Sequence, residues 1–147
     1  MYRTHNLGEL NIKNEGEEVE LSGWIQKIRN LGGMIFIDLR DQFGITQIVI
    51  NDEKLQEQAR GLTTESCIHI CGKVVERSSK NSKMATGEIE VVVDKIEVLG
   101  KCKNVLPFEV NTDQEVREDL RLEYRFLDLR SQKLHDTILL RSKILKT

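Results

Sequence analysis

Two predicted strands joined by adjacent glycines constrain the fold of this chain more than any other feature. Residues 23–30 and 34–41 both have the pattern of extended segments, and Gly32-Gly33 between them favours a tight hairpin turn. In the second segment Ile35, Ile37 and Leu39 alternate with other side chains, as in a strand that is buried on one face. We expect Trp24, at the start of the hairpin, to lie in the core.

Phe36 falls on the opposite, polar face of the second strand. An aromatic side chain is unusual there, because burying it would be favourable by about 2 kcal/mol. Beside Arg29 and Arg40, an exposed ring could stack on an unpaired nucleic-acid base. Packing beneath a loop is the alternative interpretation of Phe36. An ion pair or a turn bond that braces the strand is the favoured interpretation of Asp38 and Arg40.

The first hundred residues have the strand order of a known barrel. We predict strands at residues 19–30, 34–41, 45–51, 67–76 and 88–99, a helix at 52–62, and a lead-in with a short helix near residues 7–10. Five strands with one helix between the third and fourth is the order of the OB-fold, a five-stranded Greek-key barrel. A β-sandwich would explain the strands but not this helix. The predicted fold class is therefore all-β, an OB-fold followed by a mainly helical hinge segment.

The pattern changes after Gly100. The only proline, Pro107, lies in an extended connector, and apolar residues from Leu134 onward have the spacing of one helix face. We predict two domains, an OB-fold at residues 1–104, and a linker with the start of a further domain at residues 105–147. Since this helical pattern meets no glycine or proline before the last residue, we expect a truncated piece of a longer protein.

Composition limits the partners. The net charge of −2 means that nucleic acid would have to be bound by a local cluster, such as Lys73, Arg77, Lys80 and Lys83. No apolar run has transmembrane length and no signal peptide is evident, so we expect a cytoplasmic protein without a membrane partner. Three cysteines and three scattered histidines match no metal-ligand spacing, so no metal site is expected.

Several stretches together resemble the N-terminal part of bacterial aspartyl-tRNA synthetases, which are class II synthetases. The stretches are YRTH (residues 2–5), GEL (8–10), LSGW (21–24), LGGMIFIDLRD (31–41), GITQ (44–47), MATGEIEV (84–91) and LRLEYRFLDLR (120–130). The resemblance implies an OB domain that binds the anticodon stem-loop of tRNA-Asp. In that family a catalytic domain follows, which uses ATP and Mg²⁺ and forms a homodimer. We therefore expect the chain alone to be inactive in aminoacylation, to hold no cofactor and to be monomeric.

The resemblance also implies roles for individual residues. Phe36 corresponds to the residue that stacks on the middle anticodon base, and Arg29 and Gln47 to readers of base edges. Glu90 corresponds to the residue near the first base, a guanine, whose N–H donors suit an acceptor-only carboxylate. Further expected loop contacts, beyond these four residues, are Arg77 and Asn81, with Lys80 and Lys83 as candidate phosphate contacts.

Solvated or structural roles are the alternatives for these side chains. For Glu90 the alternative is a cross-strand ion pair, and for Arg29 and Gln47 it is a polar sheet face. At the level of function, the alternatives are the same module from an asparaginyl- or lysyl-tRNA synthetase, or an OB module used for contact with a protein.

Overall fold

The two adjacent glycines form the predicted hairpin turn. Gly32 and Gly33 have φ angles of 60° and 81°, a region in which side chains other than glycine are strained. They allow strand β1 (Glu18–Leu31) to turn directly into β2 (Met34–Arg40). The computed structural model describes residues 2–103, 105–111 and 115–146. These fall into two compact units, Met1–Lys103 and Asn104–Thr147.

The first unit is a barrel. It continues with β3 (Ile45–Ile50), helix α1 (Glu53–Ala59), β4 (Cys67–Glu76) and β5 (Ile89–Gly100). The strands close in the order β1-β2-β3-β5-β4, with β3 and β5 parallel and the other neighbours antiparallel. This is the predicted five-stranded barrel with one helix between the third and fourth strands. Asp52 caps α1, as its carboxylate accepts from the backbone of Lys54 and Leu55.

Alternate residues of the strands fill the barrel. Ile37 and Leu39 from β2, Ile70 from β4 and Val91 from β5 are completely buried and belong to one apolar cluster. On β3, by contrast, every residue from Thr46 to Ile50 is buried, so the predicted alternation does not separate an exposed face there.

The lead-in differs from its prediction. No helix forms at residues 7–10; a 3-10 helix lies instead at Ile12–Asn14, after Asn11, whose side chain accepts from the Lys13 backbone. The reason is that the Leu7 carbonyl, which would accept the first hydrogen bond of such a helix, is already used by Thr46. The Leu7 N–H donates to Asp41 at 3.0 Å and its carbonyl accepts from the Thr46 hydroxyl, which places the Leu7 side chain in the core.

The second unit is mainly helical, as predicted. It contains α2 (Glu118–Glu123), α3 (Arg125–Asp128) and α4 (Gln132–Leu145). The buried carboxylate of Asp128 accepts from Arg121 at 2.9 Å and from Arg125 at 2.6 Å. In the part of the chain that the structure describes, none of the helices combines the length and apolar character that crossing a membrane requires.

Candidate nucleic-acid interface

Strand register places Phe36 in a row of side chains that crosses the barrel surface. Phe36 lies opposite Arg29 of β1 and opposite Val49 of β3. Val49 is aligned with Val92 of β5, which lies opposite Lys73 of β4. Phe36 is half-buried, so part of its ring meets solvent beside a cationic neighbour. This is a geometry in which an unpaired base can stack.

A second, polar row runs beside the first. Asp38 of β2 lies opposite Lys27 of β1 and opposite Gln47 of β3. The parallel pairing of β3 with β5 then brings Gln47 next to Glu90, which lies opposite Val75 of β4. The parallel step between β3 and β5 is what brings residues 43 positions apart in sequence into contact.

Hydrogen bonds connect four side chains of these rows into one network. The Nη2 atom of Arg29 donates to Oδ1 of Asp38 at 2.6 Å and to Oε1 of Gln47 at 3.1 Å. At the other end of the amide, Nε2 of Gln47 donates to Oε2 of Glu90 at 2.7 Å. A guanidinium has only donors and a carboxylate only acceptors, so these neighbours fix the orientation of the Gln47 amide.

The members of this network differ in exposure. Gln47 is only 3% exposed, whereas the side chains of Asp38 and Arg29 are 15% and 33% exposed. Arg29 therefore keeps donors that a ligand could reach, because its bonds to Asp38 and Gln47 engage one terminal nitrogen. Gln47 lies beneath the surface and connects the cation to Glu90 rather than projecting toward solvent.

The loop between β4 and β5 is an ordered turn. The backbone of Asn81 donates to the Gly87 carbonyl at 2.9 Å, and the Asn81 side chain accepts from the Lys83 backbone at 3.1 Å. The hydroxyl of Thr86 donates to the Ile45 carbonyl at 2.5 Å, which ties the loop to β3. A Cβ on Gly87 would lie 1.8 Å from the Asn81 carbonyl oxygen, so this close approach requires glycine.

The same loop carries the candidate basic contacts. Lys83 is exposed, while the ammonium group of exposed Lys80 pairs with Glu76 at 2.8 Å. The hydrogen bond from Lys80 to Glu76, and then the attraction of that carboxylate, raise the pKa of Lys80. Half-buried Arg77 has a buried Nη1 without a hydrogen-bond partner. The residues that the sequence assigned to this loop therefore do lie together, but part of their charge is already paired.

Two expectations about neighbouring residues are wrong. Arg40 does not lie beside Phe36 as an accessible cation. It forms the ion pair of its favoured interpretation: it is 7% exposed, and its Nη2 donates to both carboxylate oxygens of Glu65, at 2.8 and 3.0 Å. Trp24 is not in the core but 37% exposed. The reason for the first error is that Glu65 follows α1 in the sequence, so only the fold brings it to β2.

Asp38 forms the ion pair of its favoured interpretation, and its partner is Arg29 of β1. The bond crosses the hairpin at 2.6 Å and braces β2 against β1. The sequence could indicate this partner, because the Gly32-Gly33 turn places residue 29 opposite residue 36, which makes residue 38 a diagonal neighbour on the same face. The link from Gln47 to Glu90 carries no such signal, because a parallel register cannot be read from a turn. In the described parts of the chain, no group of His, Cys, Asp and Glu side chains could hold a metal ion.

Comparison with known families decides what this barrel is. The family model of the OB-fold nucleic acid binding domain of the tRNA anti-codon type matches residues 19–99. The chain belongs to this family. As an OB-fold nucleic acid binding domain, it has the fold class predicted from its strand order, and the surface just described lies within the matched residues.

Relatives of this OB-fold domain extend the match to almost the whole chain. The aspartate–tRNA ligase of Mesoplasma florum is 51% identical over 144 residues, which cover 98% of this chain and 25% of that protein. The aspartate–tRNA(Asp/Asn) ligase of Pelagibacter ubique is 50% identical over 147 residues, again 98% of this chain and 25% of that protein. The chain thus spans about a quarter of the length of these curated relatives.

Solved structures give the same fold. Asparaginyl-tRNA synthetase from Pyrococcus horikoshii, complexed with asparaginyl-adenylate, matches with a TM-score of 0.75 and 28% identity, over 99% of this chain and 35% of that one. An aspartyl-tRNA synthetase from Entamoeba histolytica matches with a TM-score of 0.80, over 88% of this chain and 33% of that one. At 20% identity this second likeness bears on the fold alone.

Proposed function

We propose that this chain is the anticodon-binding domain of an aspartate–tRNA ligase and that it binds the anticodon stem-loop of tRNA-Asp. The observation that carries the proposal is the network from Asp38 through Arg29 and Gln47 to Glu90, beside the half-buried ring of Phe36. Relatives about half identical over nearly the whole chain carry the name aspartate–tRNA ligase, which supports this substrate.

Each part of the surface has a task in this proposal. The ring of Phe36 stacks on the middle anticodon base, which contributes about 1–3 kcal/mol but distinguishes bases weakly. Discrimination comes from hydrogen bonds, with the remaining donors of Arg29 directed at base edges and Glu90 accepting from guanine at the first position. Gln47, which the sequence assigned as a reader of base edges, is 3% exposed and in this proposal acts on the bases through Arg29 and Glu90, which its amide contacts.

The β4–β5 loop supplies the backbone contacts. Half-buried Arg77 and Asn81 lie in this loop and are the proposed loop contacts. Lys80 and Lys83 contribute positive charge, which raises affinity for any sequence.

The parent protein is proposed to attach aspartate to tRNA-Asp with ATP and Mg²⁺, as a cytoplasmic homodimer. The described residues contain no group of three or more His, Cys, Asp and Glu side chains that could hold a metal ion, and the chain spans about a quarter of the length of its relatives. We therefore assign the binding of ATP and Mg²⁺ to other parts of the parent, and we expect neither aspartyl-adenylate formation nor a stable dimer from this chain alone.

Titration of fluorescent anticodon stem-loops tests the proposal. Anticodon GUC represents tRNA-Asp, GUU tRNA-Asn and UUU tRNA-Lys, which share the central U. We expect the tightest binding to GUC, measured by fluorescence anisotropy. A preference for GUU or UUU would assign the domain to the asparaginyl or lysyl relatives. Absence of binding to all three would reject nucleic-acid binding and favour a protein-contact module.

A further inference from the structure

We propose that Asp38 is a positioning residue, which holds Arg29 away from Glu90 and thereby leaves the Glu90 carboxylate open to a base. This inference rests on the proposed function, because the base in question is the guanine at the first anticodon position. It assigns to Asp38 a part in specificity rather than in strand stability alone.

The geometry shows how Asp38 acts on Arg29. The Oδ1 atom of Asp38 lies 2.6 Å from Nη2 of Arg29, and the same nitrogen lies 3.1 Å from Oε1 of Gln47. A charge-assisted bond of this length is stronger than one between neutral groups, so Asp38 is the main restraint on the guanidinium. Asp38 is well placed to supply it, since its side chain is only 15% exposed.

Charge explains why this restraint is needed. The neutral amide of Gln47 contacts both Arg29 and Glu90 and so connects the cation to the second carboxylate. A guanidinium matches the two oxygens of a carboxylate in a bidentate pair, so an unrestrained Arg29 would turn toward Glu90. Such a pair would occupy the acceptors that a base must reach. Asp38 prevents it by offering Arg29 a nearer carboxylate, on β2, the strand next to β1, whereas Glu90 lies on β5 beyond β3.

Glu90 then keeps accepting capacity. Among the described side chains, Gln47 donates to the Glu90 carboxylate, and it does so at Oε2. The other oxygen, Oε1, is left for a ligand. Guanine presents two N–H donors on its Watson–Crick edge, whereas adenine presents one donor and one acceptor. An acceptor-only carboxylate therefore favours guanine, provided that it is not already paired with Arg29.

Asp38→Asn is the decisive variant, because it removes the charge and keeps the shape. We expect the preference for GUC over AUC stem-loops to fall about tenfold, within the range of discrimination that one bidentate base contact supplies. In this variant the loss of Arg29 bonds to RNA weakens binding, while the loss of the negative charge of Asp38 removes a repulsion of RNA phosphates. These two effects should partly cancel for both stem-loops, so the affinity for AUC changes less than the affinity for GUC.

The matched control is Asp94→Asn. Asp94 is an exposed acid on β5, so this variant makes the same charge change on the same barrel without touching the network. It should keep the wild-type preference. A double-mutant cycle adds a second test: Glu90→Gln alone should lose the preference, and adding Asp38→Asn should cause little further loss.

The outcomes separate this inference from the proposed function. If wild type prefers GUC and Asp38→Asn keeps that preference, the positioning role is wrong. An equal loss for both stem-loops together with a lower melting temperature would also overturn it, because it indicates a structural role only. If wild type binds no stem-loop, the proposed function fails. The side-chain amide signals of Gln47 in NMR spectra then test by themselves whether Asp38 holds Arg29 in place. Displacement of these signals in Asp38→Asn, but not in Asp94→Asn, supports the positioning of Arg29 by Asp38. Unchanged signals in both variants reject it.

Discussion

At the scale of single residues, affinity and specificity are assigned to different side chains. Phe36 has no hydrogen-bonding group and a partly exposed ring, so it can hold any base by its face. Glu90 can distinguish bases but cannot hold RNA by charge, because it repels phosphates. A mutation at one should therefore change binding in a way that a mutation at the other does not.

Phe36→Ala should weaken binding of all anticodon stem-loops alike, by about 1–3 kcal/mol, because every base has a π-face. The measurement is anisotropy with GUC and with loops changed at one base. Phe43→Ala is the control, since Phe43 is 53% exposed but lies in the turn between β2 and β3. A lower melting temperature of Phe36→Ala without loss of RNA affinity would show that Phe36 is a core residue.

The sequence predicted which residues of the site share a face but not which of them are bonded. Alternation along β2 places Phe36 and Asp38 on one side of the strand, and the hairpin turn brings Arg29 opposite Phe36. The bond between Gln47 and Glu90 depends on the β3–β5 register, which the chain forms only when the barrel closes. Burial of Arg40 depends likewise on Glu65, a partner from another element.

At the scale of elements, part of the positive charge of the β4–β5 loop is neutralised by a neighbouring carboxylate. Glu76, at the end of β4, pairs with Lys80, four residues later in the loop, at 2.8 Å, and both side chains are about half exposed. In an exposed pair the attraction is weak and screened by salt, but the negative charge of Glu76 still opposes the approach of a phosphate.

Glu76→Gln should therefore strengthen stem-loop binding, and more strongly at low salt than at high salt, because Lys80 becomes available for counterion release. The check is the slope of log affinity against log salt concentration, which should become steeper than in wild type. Glu53→Gln, a change of an exposed acid on α1, provides the control. Equal slopes in all three proteins would mean that Lys80 contacts no phosphate.

The lead-in contains an acid-sensitive turn. Hydrogen bonds from the backbone and side chain of Asn6, at 3.0 and 2.5 Å, lower the pKa of Glu9, and His5 and Arg3 add to this effect. Because the pKa is depressed in the folded state, the stabilisation is present above the ordinary value of 4.5 and is lost as the pH falls through the lowered value.

Lowering the pH through the depressed pKa of Glu9 should thus speed amide exchange at Asn6, whose N–H donates to Glu9. Native-state exchange followed by NMR measures it. In Glu9→Gln the Asn6 rate should show no such acid transition once the intrinsic pH dependence of exchange is subtracted. An identical transition in both proteins would place the acid sensitivity elsewhere.

Most elements followed from sequence because each has local signals. Gly32-Gly33 marks the hairpin turn, Asp52 caps α1, and alternation marks β2, β4 and β5. The short helix near residues 7–10 was wrong because long-range bonds to Asp41 and Thr46 fix the Leu7 backbone. Local propensity cannot anticipate a hydrogen bond to a residue more than thirty positions away.

At the scale of the whole molecule, the two units differ in what stabilises them. Every member of the large apolar cluster belongs to Met1–Lys103, from Leu7 to Ile96. In the described part of the second unit, Val110 and Leu127 are the buried apolar residues, while Leu139, Leu140 and Ile144 of α4 are exposed. The barrel therefore has a core of its own, and the second unit buries little apolar surface within itself.

A chain that ends at Lys103 should fold as the full chain does and bind the GUC stem-loop with the same affinity. Its core cluster is complete, and the residues proposed to contact RNA all lie before position 91. Amide exchange should show slow protons in all five strands of both proteins, whereas residues 118–145 of the full chain should exchange faster because few apolar contacts protect them. Thr63→Ala provides a control for the new terminus, because it removes the hydroxyl that donates to the Cys102 carbonyl at 2.9 Å, together with the contact of that hydroxyl with the Ser66 hydroxyl at 3.3 Å. Loss of slow exchange in the shortened chain, with Thr63→Ala unaffected, would show that the barrel depends on the second unit. Retained slow exchange with weakened binding would instead mean that the RNA surface extends beyond the barrel.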